Sequence, residues 1–166
     1  MAGRPPRLAD SLYIGVRTYS LTICCDERRS VLTEQAARDI VLTELRRTSC
    51  AHRIAIVTYC LMPDHIHLVA RGEARDSDCL AFMRIFKQTT AFRWKQQSGQ
   101  RLWQRSFYDH VLRDGEDAKD VVKYVLANPV RAKLVASPKD YPHSGSFVYE
   151  RTELIEWAFG SEDGGV

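Results

Sequence analysis

Residues 53–70 read RIAIVTYCLMPDHIHLVA. Arg53 to Leu61 is crowded with Ile, Val, Thr and Tyr, and His65 to Ala70 alternates polar with apolar, so both halves carry the composition and period of β-strands. Pro63-Asp64 between them is a turn signal: proline arrives with its φ already set, and aspartate bonds its own backbone. The two strands are expected to pair as neighbours. Upstream, Tyr13 to Cys25 reads as a first strand, and Ala36, Ile40, Val41 and Leu45 recur at helical spacing behind Thr33, the expected N-cap, with Arg46-Arg47 in the last turn. Downstream, Ser77 and Asp78 are placed to cap a helix from about Cys79 to Gln97, with apolar Leu80, Phe82, Met83, Phe86 and Phe92 and a stop at Ser98-Gly99. Phe107 to Arg113 reads as a fourth strand, Asp114-Gly115 as a turn, and Glu116 to Asn128 as a third helix that Pro129 cannot extend. The order βαββαβα predicts an α+β sandwich: a mainly antiparallel four-stranded sheet with helices packed on one face.

The 166 residues are 45% hydrophobic and 27% charged, which suits one cored domain and excludes extended disorder and fibrous repeats. No apolar run approaches the roughly 18 residues of a membrane span, and Met1 to Asp10 lacks the apolar stretch of a signal peptide. A soluble cytoplasmic protein with no membrane partner is expected. The five cysteines have no CxxC spacing and read as reduced thiols. The expected organisation is a flexible basic segment over residues 1–10, the domain over 11–144, and a partly disordered extension over 145–166, in which Glu150 to Phe159 could form a terminal helix.

Three constellations carry chemistry. In His65-Ile66-His67 the strand pleat sends both imidazoles to one face, roughly 6 to 7 Å apart along the chain, where they can converge on one metal ion; two surface histidines would have the same spelling. Tyr124 and Asn128 lie four apart on the third helix. Against a buried stripe of Ala118, Val121, Val122 and Val125, Tyr124 stands about 110° and Asn128 about 70° away, on the same flank. Asn128 before Pro129 also fits an N-cap followed by proline at the first helical position. Finally, Cys79 to Tyr108 holds Arg84, Lys87, Arg93, Lys95, Arg101 and Arg105 without an acidic residue, interleaved with aromatics. Trp94, Trp103 and Tyr108 are candidates to stack on bases while the cations, joined by Arg131, neutralise phosphates. A solvated basic helix face is the plainer reading of that stretch.

Leu61-Met62-Pro63-Asp64-His65-Ile66-His67-Leu68-Val69, then Leu102-Trp103-Gln104 with Tyr108-Asp109-His110, then Tyr124 through Ala132, together resemble the REP-associated tyrosine transposases and related single-tyrosine HUH transposases. The likeness spans about Tyr13 to Ser144. It implies a ferredoxin-like domain, His65 and His67 as metal ligands and Tyr124 as nucleophile. Where insertion-sequence relatives carry a glutamine as third ligand, this chain has the shorter Asn128. The implied function is a metal-dependent endonuclease and transposase acting on single-stranded DNA beside hairpins or repetitive extragenic palindromes, through a 5′-phosphotyrosine intermediate. Mg or Mn is the expected cofactor, and monomer and homodimer are both known in such families. The implied setting is bacterial, the protein being nucleoid-associated when bound to DNA. His110 and Asp117 are candidates for a general base by nearness in sequence only. Two other readings remain open: a domesticated hairpin-binding protein without chemistry, and a structural zinc domain using His65, His67 and Cys60 or His110.

Overall fold

In the computed structural model, which describes residues 9–113 and 116–160, the hairpin forms as read: β2 (Ile54–Met62) pairs antiparallel with β3 (His65–Gly72), Met62 opposite His65. On its free side β3 pairs with an earlier strand, here named β1 (Thr18–Cys24), which pairs in turn with β4 (Tyr108–Val111). Both contacts are antiparallel. Between β1 and β2 runs α1 (Gln35–Ala51), and between β3 and β4 runs α2 (Cys79–Ser98). The first four strands therefore stand in the order β4-β1-β3-β2, the ferredoxin-like arrangement.

Two features depart from a four-stranded sheet covered on one face. A two-residue strand, β5 (Ser144–Gly145), extends the sheet beyond β2. Two further helices, α3 (Ala118–Arg131) and α4 (Arg151–Phe159), cover part of the second face. The cause is that β2 is apolar on both sides and Val69 of β3 adds to the second apolar surface. Leu21, Ile23, Ile56, Ile66 and Leu68 form one core with Leu45, Phe82 and Phe86 of α1 and α2. Cys60, Met62 and Val69 form another with Val122, Val125 and Leu126 of α3 and Leu154 and Ile155 of α4. Strands buried on both faces need two covering layers. Residues 145–160, expected as an extension, are thus part of the packed structure, and Arg151 binds the carbonyls of Ser144, Pro138 and Tyr141. Residues 1–8, the Asp114-Gly115 turn and the stretch 161–166 lie outside the described residues.

Local chemistry explains most element ends. Asp78 caps α2 by accepting from the Ala81 amide at 2.8 Å, and Gly99 ends it in the left-handed region, φ 73°. Thr33 is not the cap of α1: its hydroxyl donates to the Ser30 carbonyl within a 3-10 turn, and Glu34 takes the cap position without a side-chain bond. The larger correction is that α3 runs through Pro129 to Arg131. Proline supplies no N–H for the Val125 carbonyl one turn back, which is why a helix is expected to stop there. Here the Asn128 side-chain amide donates to that carbonyl at 3.3 Å and to the Tyr124 carbonyl at 3.1 Å. Asn128 is therefore interior to one helix and does not open another.

The basic, aromatic-rich α2 packs on the face away from the histidines. Trp94 and Trp103, expected to stack on bases, are 2% and 4% exposed and belong to the core. Trp103 Nε1 donates to Thr90 Oγ1 at 2.7 Å. Lys87 is turned onto the carbonyls of Gln104, Arg105 and Ser106, and Arg93 pairs with buried Glu44 of α1 at 2.7 Å. Burial works to raise the Glu44 pKa, but hydrogen bonds from Arg47 and Arg93 outweigh it and hold the carboxyl below its ordinary range. Arg84, Lys95 and Arg105 stay exposed on that side. Trp103→Ala should therefore cost about 3–5 kcal/mol of stability in a urea melt; a DNA-affinity loss with unchanged stability would restore the stacking role.

Candidate active site

The pleat of β3 divides its residues between the two cores. Ile66, Leu68 and Ala70 lie under α1 and α2, while His65, His67 and Val69 lie on the face that carries α3. The two imidazoles meet edge to face at 87°, and their Nε2 atoms are 3.0 Å apart. Each ring is held from behind by its other nitrogen. His65 Nδ1 contacts Asp64 Oδ1 at 2.6 Å, and His67 Nδ1 contacts Thr22 Oγ1 at 3.0 Å, Thr22 being its cross-strand partner on β1. A carboxylate at Nδ1 keeps the His65 proton there and leaves the Nε2 lone pair outward. Burial, reinforced by the neighbouring His65 and by Arg131 and Arg28, pushes the His67 pKa down to about 4, so this ring is neutral at neutral pH. Two imidazole nitrogens at this separation suit one cation lying about 2.1 Å from each.

Asp64 is itself held. Arg28 Nε sits 2.9 Å from Asp64 Oδ2, while Arg28 Nη1 donates to Cys24 Sγ at 2.8 Å. Glu27 and Arg28 are consecutive residues at φ 54° and 56°, a conformation that non-glycine side chains seldom adopt, and it turns the guanidinium back toward Asp64. Sequence reading treated Asp64 only as a turn residue and passed over Thr22 and Arg28. Adjacency to the first histidine was a usable signal for Asp64; Thr22 and Arg28 reach the site only through strand register and a left-handed loop.

Tyr124 stands on α3 beside this pair, 55% exposed. Its ring meets His67 of the same chain nearly perpendicularly, at 84° with centroids 6.3 Å apart. The Arg131 guanidinium lies over its other surface, Cζ 3.8 Å from the ring centroid, a cation–π contact. Arg131 also donates to Asn128 Oδ1 at 2.7 Å. The Asn128 amide is thus engaged at both ends on its own helix, and among the described residues no hydrogen bond joins it to His65 or His67. Of the residues singled out from sequence, His65, His67, Tyr124 and Arg131 come together, with Asn128 at their edge; Arg84, Lys87, Arg93, Trp94 and Lys95 of α2 do not.

The other candidates are committed elsewhere. His110, exposed on β4, lies 2.9 Å from Glu116, and Asp117 caps α3 by accepting from the Lys119 amide. Burial pushes the Cys60 thiol up to about 12, and its side chain packs in the apolar core beneath α3. Among the described residues, no three His, Cys, Asp or Glu side chains gather at metal-binding distance. Nor is any described helix long and apolar enough to cross a membrane.

Comparison with known proteins shows the family. Residues 16–128 match the family model described as "Transposase IS200 like". The chain belongs to this family. Among relatives of this IS200-like transposase, a REP-associated tyrosine transposase of Haemophilus influenzae is 29% identical over 142 residues, covering 76% of this chain and 77% of the relative. A REP-associated tyrosine transposase of Escherichia coli strain K12 is 25% identical over 134 residues, covering 80% and 78%. The fold matches the structure of a REP-associated tyrosine transposase bound to a REP hairpin, with TM-score 0.70 and 23% identity over 86% of this chain and 81% of that one. A transposase structure from Deinococcus radiodurans also matches, with TM-score 0.50 and 19% identity over 81% and 92%.

Because the Asn128 amide stands in for the missing proline N–H, Asn128→Ala should lower stability by about 1 kcal/mol or more. In a Pro129→Ala background, where the backbone N–H returns, the same change should cost much less. A double-mutant cycle by thermal unfolding measures the coupling, and additive effects would refute it.

Proposed function

We propose that this IS200-like transposase cleaves and rejoins single-stranded DNA next to a hairpin, with Tyr124 as the nucleophile. The observation that carries the reading is the seating of Tyr124 against His67 of its own chain, under Arg131. The Tyr124 phenol oxygen attacks a backbone phosphorus as the bond to the 3′ oxygen breaks. The 5′ phosphate stays on the tyrosine, and the departing 3′ oxygen gains a proton to balance the one the phenol loses. Since the covalent link conserves the phosphodiester, another 3′ hydroxyl can reverse the step, so cutting and strand transfer share one site. Arg131 serves twice, fixing the plane of the ring and offering positive charge to the phosphate.

His65 and His67 would hold a divalent ion, Mg or Mn, and the Asn128 side-chain oxygen would be the third donor. Such an ion, when bound, supplies Lewis-acid polarisation of the attacked phosphate. Thr22 and Asp64 set the orientation of the two rings, and Arg28 sets that of Asp64. Because one chain supplies both the histidines and the tyrosine, a monomer suffices for cleavage. The strand must be unpaired at the cut, since a nucleophile on a short helix has to approach one phosphate in line. The hairpin supplies a duplex for contacts that position without reading bases.

The test is incubation of the full chain with a hairpin oligonucleotide bearing an unpaired flank, in Mn or Mg, followed by a denaturing gel. A covalent adduct is expected. It should vanish in Tyr124→Phe with hairpin affinity nearly unchanged, and it should vanish when the flank is annealed to a complement. Hairpin binding without any adduct would favour the non-catalytic hairpin-binding reading. An adduct that survives in Tyr124→Phe would transfer the role to Tyr108, which is 52% exposed and stands opposite Thr22.

A second expectation concerns the ring supports. His65→Ala and His67→Ala should abolish Mn binding in calorimetry, whereas Asp64→Ala should weaken it about 10- to 100-fold. Unchanged Mn affinity in both histidine variants would remove the metal site.

A further inference from the structure

The gap between α4 and the sheet holds a cavity of about 420 Å³, within the roughly 300–1,000 Å³ range of small-molecule sites. It shares no residue with the histidine pair or Tyr124 and lies toward the other end of β3, over Val69 and Arg71.

Its floor is shaped by a break in the β ladder. Ile56 pairs with Ala70 and Thr58 with Val69, so Val57 is an extra residue of β2 without a partner on β3. A bulge of this kind bends its strand and re-aims a side chain. Val57 lines the cavity together with Val69, and Val122 of α3 and Leu154 of α4 complete an apolar floor. Tyr149, Glu153 and Trp157 follow one another at four-residue spacing through the start and body of α4, so one side of that helix looks across the gap. Tyr149 is 47% and Trp157 49% exposed, which leaves much of both rings free for a ligand.

The charges select the ligand class. Arg71 borders the cavity from the sheet, beside its cross-strand partner Thr18, and Glu153 borders it from the helix. Among the described residues neither takes part in an ion pair or a side-chain hydrogen bond. A guanidinium and a carboxylate that line one apolar hollow without pairing leave room for a molecule that carries both opposite charges itself. A phosphate or a metal ion would satisfy one and be repelled by the other, and a neutral hydrocarbon would satisfy neither. An α-amino acid satisfies both: its carboxylate accepts from the guanidinium, and its ammonium donates to the carboxylate. A peptide end presents only one of these two charges. The walls then select the side chain, because an aromatic ring has aromatic partners in Tyr149 and Trp157 and an apolar floor beneath it.

We infer that this cavity binds a free α-amino acid with an aromatic side chain, its carboxylate on Arg71, its ammonium on Glu153 and its ring against Tyr149 and Trp157. Such a ligand touches the sheet, α3 and α4 together, so it fixes α4 against the helix that carries Tyr124. The inference is independent of the DNA-cleaving function proposed above.

The test uses the full chain and L-phenylalanine as probe. Trp157 is half exposed whereas Trp94 and Trp103 are buried, so tryptophan emission reports occupancy. On titration the emission should shift to the blue and the melting temperature should rise. 3-Phenylpropionate, which lacks the ammonium, and 2-phenylethylamine, which lacks the carboxylate, should each bind about tenfold or more weakly, while L-alanine, which lacks the ring, should leave the signal unchanged. Arg71→Ala should weaken L-phenylalanine binding about tenfold or more without altering affinity for 2-phenylethylamine, and Glu153→Gln should do the same without altering affinity for 3-phenylpropionate. Ala118→Phe, which sets a ring at the cavity mouth from the exposed first position of α3, should abolish binding, and its melting temperature without ligand reports that it is folded. Absence of both the emission shift and the melting-temperature gain at millimolar L-phenylalanine would overturn the inference. Equal affinity for the three phenyl compounds would also overturn it, since the cavity would then be a hollow without charge recognition, and so would undiminished binding in folded Ala118→Phe.

Discussion

The site depends on the register of β3. Its side chains alternate faces, so a slip of one residue against β1 or β2 would carry both histidines into the core under α1 and α2 and bring Ile66 and Leu68 out. That slip is prevented by burial, for Ile66, Leu68 and Ala70 are each 0% exposed. The turn is also pinned from outside the hairpin: the Leu32 amide donates to the Pro63 carbonyl and the Cys25 amide to the Asp64 carbonyl, each at 2.9 Å. The orientation of the polar pair is thus maintained by apolar packing on the opposite side of the sheet, and its ring planes by hydrogen bonds to Thr22 and Asp64.

The second apolar layer sets where the tyrosine goes. Cys60, Met62 and Val69 require cover, Val122, Val125 and Leu126 supply it, and Tyr124, off that stripe, is left at the margin beside His67. The helix must then continue past Pro129 for Arg131 to reach the Tyr124 ring, and the Asn128 amide permits this by satisfying the Val125 carbonyl. Asn128 therefore has two demands on it, helix continuity through its nitrogen and site chemistry through its oxygen. A longer side chain there would move both groups farther from the backbone carbonyls.

Much of the fold was legible because its signals are local. Alternation marked β1 to β3, the Asp78 cap and Gly99 bounded α2, and the off-stripe angle of Tyr124 agreed with its exposure. Signals failed where a long-range partner overrode them. Thr33 looked like a cap but bonds backward to Ser30. Pro129 looked like a stop but has a side-chain substitute for its missing donor. Trp94 and Trp103 looked available for stacking because their neighbours are basic, yet aromatic area of that size is drawn into the core when a facing helix offers apolar partners. The basic residues of α2 formed a run in the chain, and folding turned that run away from His65 and His67.

By itself the sequence determined the α+β class, the hairpin, the common face of His65 and His67, the exposure of Tyr124 and, through motif resemblance, the transposase family. The hairpin, the shared histidine face and the exposed tyrosine follow from residue type and spacing within one element, the class from the order of elements, and the family from the resemblance of several motifs taken together. Tertiary structure alone decided that Tyr124 meets its own chain's His67, that Thr22 holds the His67 ring and Arg28 holds Asp64, and that α4 closes a cavity over Val69 and Arg71. Those relations join residues far apart in the chain, and their geometry is set by which apolar surfaces must be buried against one another, information that no single segment contains.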